Sequence, residues 1–279
     1  MRSFMSRGLL AVAATCCPDV ICAFAEEKDP RPAAAIQDNS FLIEEAYNQE
    51  PGVVQYVSIL RRIGGRDWHF NFTQEWPLGS QSNQFSYSVP YSWIRDDQDQ
   101  RVHGFGHLLL NYRRQVWHEG DAVPAFAPRL SLIVPTGSKS VAPGNGSYGF
   151  EANLPFSKIV SDRVTLHANA GLNHFFDVHG QSPTSYRVGG SAVYAVTRNF
   201  NWMLEAVGEW EQWVDETREV ARKFIFTANP GFRYAVNFRD DSQLVMGISI
   251  PIGLTKGSAP DYGLFFYLSY EHDFLPRKR

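Results

Sequence analysis

The chain has 279 residues, 44% hydrophobic, 14% aromatic and 20% charged, with a formal net charge of -3. Twenty Phe, twelve Tyr and seven Trp exclude a disordered chain, which could not carry so much apolar content. A bundle of membrane helices is excluded too. Each span needs roughly 20 mostly apolar residues, and the longest uncharged run, Trp76 to Ile94, is full of Ser, Gln, Asn, Gly and Pro.

At the N-terminus, Arg2 and Arg7 form a positive region, Gly8 to Cys17 a short apolar one, and Ala23-Phe24-Ala25 a small-x-small cleavage site. Residues 1–25 are expected to be a cleaved export signal. All three cysteines, Cys16, Cys17 and Cys22, lie within it, so the chain from Glu26 has no disulfide and no cysteine chemistry. Removing Arg2, Arg7 and Asp19 leaves 24 basic and 28 acidic residues and a net charge of -4. That is no footprint for nucleic acid, which requires a basic face.

Residues 26–52 read as a periplasmic segment. Its first part, to Gln37, is a polar linker with Pro30 and Pro32. In the second part Ser40 is placed to cap a short helix with Leu42, Ile43, Ala46 and Tyr47 on one face, ended by Pro51-Gly52. Some ten residues make no stable helix alone, so this one needs a surface to dock on.

From Val53 the period changes to two. In Phe85-Ser-Tyr87-Ser-Val89-Pro-Tyr91-Ser-Trp93 every second residue is large and apolar, which is strand alternation. About twelve strands are expected, near 53–62, 67–76, 84–94, 104–116, 124–135, 149–157, 163–175, 186–197, 201–210, 224–237, 242–254 and 262–274. A soluble β-sandwich also alternates, but its outer face usually carries charge. Here the second face is Ser, Thr, Asn and Gly with scattered Arg and Glu, which suits a wet lumen, while the apolar face suits lipid. The expected fold is all-β, an antiparallel up-and-down transmembrane barrel over 53–274, with 275–279 as a C-terminal tail.

Spacing supports the membrane. Trp68 and Trp76, Phe85 and Trp93, and Trp202 and Trp210 are same-face pairs eight residues apart. Eight tilted residues rise roughly 20 Å, near the apolar band height of about 25 Å, so the pairs are candidates for two aromatic girdles. With both termini inside, even-numbered turns near 158–162, 198–200 and 237–241 are short. Odd-numbered connections over 137–148, 177–185, 211–223 and 255–261 are long, and only the hairpin at Gly64-Gly65 departs from this trend. Short periplasmic turns and long external loops are what outer-membrane barrels show. Tyr262 to Phe274 has the alternating, aromatic-ended form of a signal for the outer-membrane assembly machinery, although Leu275 to Arg279 extend beyond it.

Catalytic signals are weak. Gly144-Asn-Gly146-Ser-Tyr-Gly149 matches a dinucleotide fingerprint, but no helix pattern follows, so it reads as a loop. His103 and His107 have the i, i+4 spacing that binds metal on a helix; on a strand it separates them by roughly 13 Å. Thr73-Gln-Glu-Trp76 is similar to one fragment of outer-membrane phospholipases, but no His-x-Ser-Asn-Gly follows, and an esterase is the weakest reading. No catalytic residue, metal or cofactor is expected, and the chain is not read as an enzyme.

The inward face is more informative. Asn111, Arg113, Arg129, Glu151, Asn153, His167, Asn169, Arg187, Glu205, Glu209, Arg233, Glu271 and Asp273 are expected to line the lumen. Mixed signs there mean a water-lined passage or a salt-bridged filling. A twelve-stranded barrel is wider than the eight-stranded kind that side chains fill, leaving room for a small ligand. The segment carrying Phe41, Glu44, Glu45 and Tyr47 is a candidate plug, docking at the periplasmic mouth against arginines such as Arg113 or Arg129.

Three segments, Asn39 to Gly52, Leu108-Leu-Leu-Asn-Tyr-Arg113 and Pro128-Arg-Leu-Ser-Leu-Ile-Val-Pro-Thr-Gly137, resemble the outer-membrane proteins grouped as meta-pathway phenol-degradation transporters. The resemblance implies a barrel and uptake of aromatic or other hydrophobic compounds, and it transfers no catalytic residue. The expected function is therefore a porin-like transporter or channel for small solutes in a Gram-negative outer membrane, its partners lipid, an unidentified solute and the assembly machinery. The rival is a non-conducting structural or surface-interaction barrel presenting loops such as 211–223; a soluble periplasmic β-protein comes third.

Overall fold

The computed structural model describes residues 36–274 except 37, 65, 97 and 256–261. The expected signal peptide, the linker before residue 36 and the tail 275–279 lie outside the described residues. Twelve antiparallel strands close on themselves: β1 Val53–Ile63, β2 Asp67–Leu78, β3 Ser80–Arg95, β4 Arg101–Phe105 continued by Leu108–Arg114, β5 Ala125–Phe126 and Arg129–Val134, β6 Gly149–Ser161, β7 Val164–Phe175, β8 Thr184–Thr197, β9 Phe200–Val214, β10 Val220–Asn237, β11 Gln243–Ser249 with Ile252–Gly253, and β12 Leu264–Asp273. Each pairs with the next. The seam runs from Val53↔Asp273 to Arg62↔Leu264, so no edge is left unpaired.

Alternation sets the two faces. Trp202, Leu204, Tyr186, Val188, Leu130, Leu132, Phe232, Tyr234, Phe266 and Leu268 are exposed on the outside, while Asn111, Ser131, Asn169, Ser191, Glu205 and Asn229 are buried inside. A belt of exposed Trp, Tyr, Phe and Leu is stable only against lipid, and the chain is an outer-membrane β-barrel.

Prolines explain the three interrupted strands. β4 breaks at 106–107, β5 at 127–128 and β11 at 250–251, each opposite a proline of the neighbouring strand. Gly106 N donates to Pro90 O at 2.8 Å, Ala127 N to Pro155 O at 3.3 Å, and Ile250 N to Pro230 O at 3.0 Å. Proline returns no N–H, so the ladder loses a rung there. At β4 the break carries His107 out of the strand.

Two expectations need correction. Residues 38–50 contain no helical turn, only bends. Their amides donate to side chains of the barrel wall instead of to carbonyls four residues back. Residues 211–214 and 220–223 belong to β9 and β10, so the expected external loop 211–223 shrinks to 215–219. Asp215 Oδ1 closes that turn by accepting from Thr217 N and Glu219 N. The connection 115–124 is, conversely, longer than its neighbours at the same rim.

Candidate functional site: a strapped barrel lumen

Residues 36–52 enter the lumen and lead into β1, lying in the half nearer the rim where β1 begins and β12 ends (the terminal rim). The segment makes a strap across successive strands. Leu42 N and Ile43 N donate to the Glu205 carboxylate of β9 at 3.0 and 3.2 Å. Glu44 N and O both bond the Asn169 amide of β7, each at 2.8 Å. Ala46 N reaches Ser157 Oγ of β6 at 2.7 Å, and Asn48 N reaches Gln115 Oε1 just past β4 at 3.3 Å. Gln49 N donates to Gln84 Oε1 of β3 at 2.8 Å. These amides are satisfied without regular structure, each by a polar side chain of the wall, while Glu45 N donates to Asn39 Oδ1 within the strap.

Carbonyls are satisfied by cations. Arg233 donates to Asp38 O at 2.6 Å, Asn39 O at 2.9 Å and Ile36 O at 3.2 Å. Arg113 donates to Asn48 Oδ1 at 2.7 Å, Tyr47 O at 2.6 Å and Glu45 O at 3.3 Å. Arg129 clasps the Glu44 carboxylate at 2.6 Å and also bonds Glu151. Burial opposes the charge on Glu44, yet Arg129 holds its carboxyl below the usual range. Glu45 has no such clasp: burial first, then the nearby Asp38 charge, push it up to about 8. Burial also raises Asp38, whose Oδ1 accepts from Tyr267 Oη at 2.5 Å and Gln55 Nε2 at 2.9 Å.

Apolar contacts fix the first half of the strap. Phe41 packs on Phe265 and Tyr267, with ring centroids at 5.4 and 6.1 Å, in a buried cluster with Val57, Val193, Met203 and Val245. Two lumen-facing glycines form its socket. A Cβ on Gly247 would stand 2.5 Å from the Phe41 ring and one on Gly231 2.6 Å from it. Gly189 does the same for Ile43, at 2.7 Å.

Beyond the strap, toward the far rim, lies a chamber of about 580 Å³. Its walls are polar on one side, with Asn71, Thr73, Ser86, Ser88 and Asn111, and apolar on another, with Val57, Ile59 and Phe265. The loop 135–148 folds inward over part of it, and Val141 and Pro143 line the chamber. His107 holds both limbs of that loop: Nδ1 accepts from Gly137 N at 3.1 Å, and Nε2 donates to Pro143 O at 2.7 Å.

The sequence-predicted residues divide into three groups. Arg113, Arg129, Asn169, Glu205 and Arg233 touch the strap, with Asn111, Glu151, Asn153 and His167 behind them, bonded to Arg129, Asn169 or Ser157. Arg187 and Glu209 form a separate ion pair at 3.4 Å nearer the far rim. Glu271 and Asp273 lie on the inward face of β12 beside the terminal rim, opposite Gln55 and Val53. Of the plug candidates, Phe41, Glu44 and Glu45 are placed as above, and Tyr47 donates from Oη to Glu119 Oε2 at 2.5 Å. Among the aromatic pairs, Trp68 lies opposite Trp93 and Trp76 opposite Phe85, while Trp202 meets Tyr194 and Phe232, and Trp210 meets Tyr186 and Phe224. His103 bonds Tyr91 Oη at 2.7 Å, apart from His107. No group of three or more metal-ligating side chains occurs among the described residues.

Sequence reasoning missed Gln84, Gln115, Ser157, Ser191 and Asn229, all polar and buried on the inner face. Strict alternation within the expected strands finds all five, including Gln115, which continues the parity of Asn111 and Arg113 although it lies just past the end of β4 in the structure.

A family model described as "Putative MetA-pathway of phenol degradation" matches residues 36–257. The chain belongs to this family. The match begins at the strap, so the strap is part of what the family shares with this chain. Among solved structures, an outer-membrane channel from Pseudomonas putida F1 superposes with a TM-score of 0.60 at 12% identity, over 85% of this chain and 99% of that one. The NanC porin follows at 0.50 and 8%, over 78% and 98%. At such identities the likeness is one of fold. No curated protein matches by sequence.

Proposed function

We propose that this barrel transports small apolar or amphipathic solutes across the outer membrane, with the strap as the movable barrier between the chamber and the periplasm. The observation that carries this reading is the chamber of about 580 Å³ floored by a segment with no regular structure of its own. That volume is in the range of small-molecule sites. The apolar wall of Val57, Ile59 and Phe265 beside polar Ser and Asn suits a small aromatic body with a polar group, in keeping with the family's description. In this reading the terminal rim is periplasmic, the paired aromatics at 68/93 and 210 and at 76/85 and 202 are the two interfacial girdles, and Tyr262 to Phe274 addresses the chain to the assembly machinery.

Planar-bilayer recording tests it. Deleting residues 38–50 should raise single-channel conductance several-fold, and solute-dependent liposome swelling should appear with it. Unchanged conductance sinks the barrier role. A barrel silent in both forms favours the non-conducting alternative. Ser157 Oγ bonds His167 Nδ1 and accepts from Ala46 N, both at 2.7 Å, so this pair serves to anchor the strap.

A further inference from the structure

Most lumen-facing arginines are engaged by the protein itself. Arg113 and Arg233 hold strap carbonyls, Arg129 is shared by Glu44 and Glu151, and Arg187 pairs with Glu209. Arg61, on β1 two residues beyond Ile59 toward the far rim, differs: it makes no hydrogen bond or ion pair among the described residues. It stands inside the barrel yet stays exposed, because the surface it shows is turned to the chamber it lines. The carboxylates whose charge reaches it lie on β9 and have cations of their own. Glu209 has Arg187 at 3.4 Å, and Glu211 has Lys223 opposite it in the ladder.

Register builds the surroundings of Arg61 in rows. Arg61 pairs with His69, and His69 with Ser92, so a guanidinium, an imidazole and a hydroxyl stand side by side across β1, β2 and β3. His69 Nδ1 and Ser92 Oγ are bonded at 3.0 Å. With the hydroxyl donating, the ring proton lies on Nε2 and supplies a second donor beside Arg61. On the other flank of Arg61 stands Phe265 of β12. One row nearer the strap, about 7 Å along the strand, Ile59 lies between Asn71 and Tyr267. Phe41 of the strap packs on Phe265 and Tyr267, and all of these side chains line the chamber.

We propose that the chamber holds a binding subsite for a small aromatic carboxylate, its anionic head taken by Arg61 and its body lying on Ile59, Phe265 and Phe41. A guanidinium offers a planar fork of donors that matches a carboxylate, and the match is strongest where no protein group competes for the fork. The apolar wall begins one row away, within reach of a ring joined to that head by a short chain. An inorganic anion fills only the first half of such a site, and a plain hydrocarbon only the second. The strap end of the chamber has the opposite charge balance, because one cation, Arg129, serves two carboxylates there. The head is therefore directed to the far rim and the ring to the strap. This inference rests on the chamber being the solute site of the transport reading, and it names the class of solute.

Equilibrium dialysis of the full chain in phosphatidylcholine nanodiscs tests it, with empty nanodiscs as the blank. The probes at neutral pH are hydrocinnamate, its uncharged counterpart hydrocinnamyl alcohol, and acetate as a head without a body. The acid should bind about tenfold more tightly than the alcohol or better, as a charge-assisted pair warrants, and acetate should compete only weakly. Arg61→Gln should abolish the preference for the acid and leave the alcohol's affinity unchanged, which also reports a folded chamber. Arg61→Lys, which keeps the charge and loses the fork, should retain a reduced preference. Ile59→Ser should weaken acid and alcohol alike, and Arg62→Gln, one residue along on the lipid face, should change neither. Equal affinity for acid and alcohol in the native chain, or a preference that survives Arg61→Gln, overturns the subsite while leaving a transporter of neutral solutes standing. Acetate binding as tightly as the acid reduces the subsite to an ion site and overturns it too. Binding of neither acid nor alcohol also overturns it, and the bilayer recordings then judge the transport reading on their own.

Discussion

The two halves of the strap are held by different physics. Residues 38–43, with Ile36, bond Glu205 and Arg233 through their main chain and are anchored besides by apolar side chains, with Ile36, Phe41 and Ile43 buried against the wall and glycines cut away to receive the last two. Residues 44–50 are anchored by hydrogen bonds, most of them from the wall to the strap's main chain, through Arg113, Asn169, Ser157, Gln115 and Gln84. The first half therefore depends on its own apolar side chains in addition to the bonds that Glu205 and Arg233 make to its main chain. The second has little apolar burial and depends mostly on the polar side chains of the wall.

Amide hydrogen exchange along residues 41–49 resolves the halves. The largest effect is expected from Arg113→Ala, which removes three hydrogen bonds to the strap and should weaken the second half by about 3–4 kcal/mol. Exchange at Asn48 and Gln49 should accelerate far more than at Leu42 and Ile43. Phe41→Ala should do the reverse, at about 3 kcal/mol from lost burial. If either variant speeds both halves equally, the strap opens as one unit and the distinction fails. Gly247→Ala is gentler, since the atoms nearest its Cβ belong to the Phe41 ring and the Arg233 side chain, and should cost the first half about 1–2 kcal/mol.

A further effect is that of pH on the second half of the strap. Glu45 is raised when docked, so the stabilisation it gives is complete below its ordinary 4.5 and is lost as pH rises through about 8. Glu44 has the opposite sign, because its docked form is the ionised one, and its contribution fades only in acid. Strap exchange, divided by the intrinsic base-catalysed rate, should thus quicken between about pH 4.5 and 8, and Glu45→Gln should flatten that rise. A rise unchanged in Glu45→Gln would assign it to another group.

Much of this was legible in the sequence. Alternation in stretches such as Phe85 to Trp93 carries the barrel, and the count of twelve strands follows from its repetition. The opposition of Glu44 to Arg129 was readable as charge. The helix over 40–50 was misread for a definable reason: Ser40, placed as a cap, instead bonds Ser191 Oγ at 2.9 Å, and the wall offers the strap amides closer acceptors than its own carbonyls. The apolar lumen patch was hidden because Val53 to Leu60 is apolar on both faces, one side lipid and the other Phe41. The sockets at Gly189, Gly231 and Gly247 were invisible, since a glycine in a strand gives no hint of what lies above it.

The strap's bonds run strand by strand, from Gln84 on β3 to Glu205 on β9, and they are met one after another along the chain. A tension applied at the residue-36 end therefore loads one bond at a time, as in peeling a tape, and not all of them in parallel, as in shearing it. Peeling needs little force but a long pull. A strap fastened in this way resists the brief knocks of thermal motion while yielding to a weak, sustained traction, and it can re-seat in the same order once the traction ends.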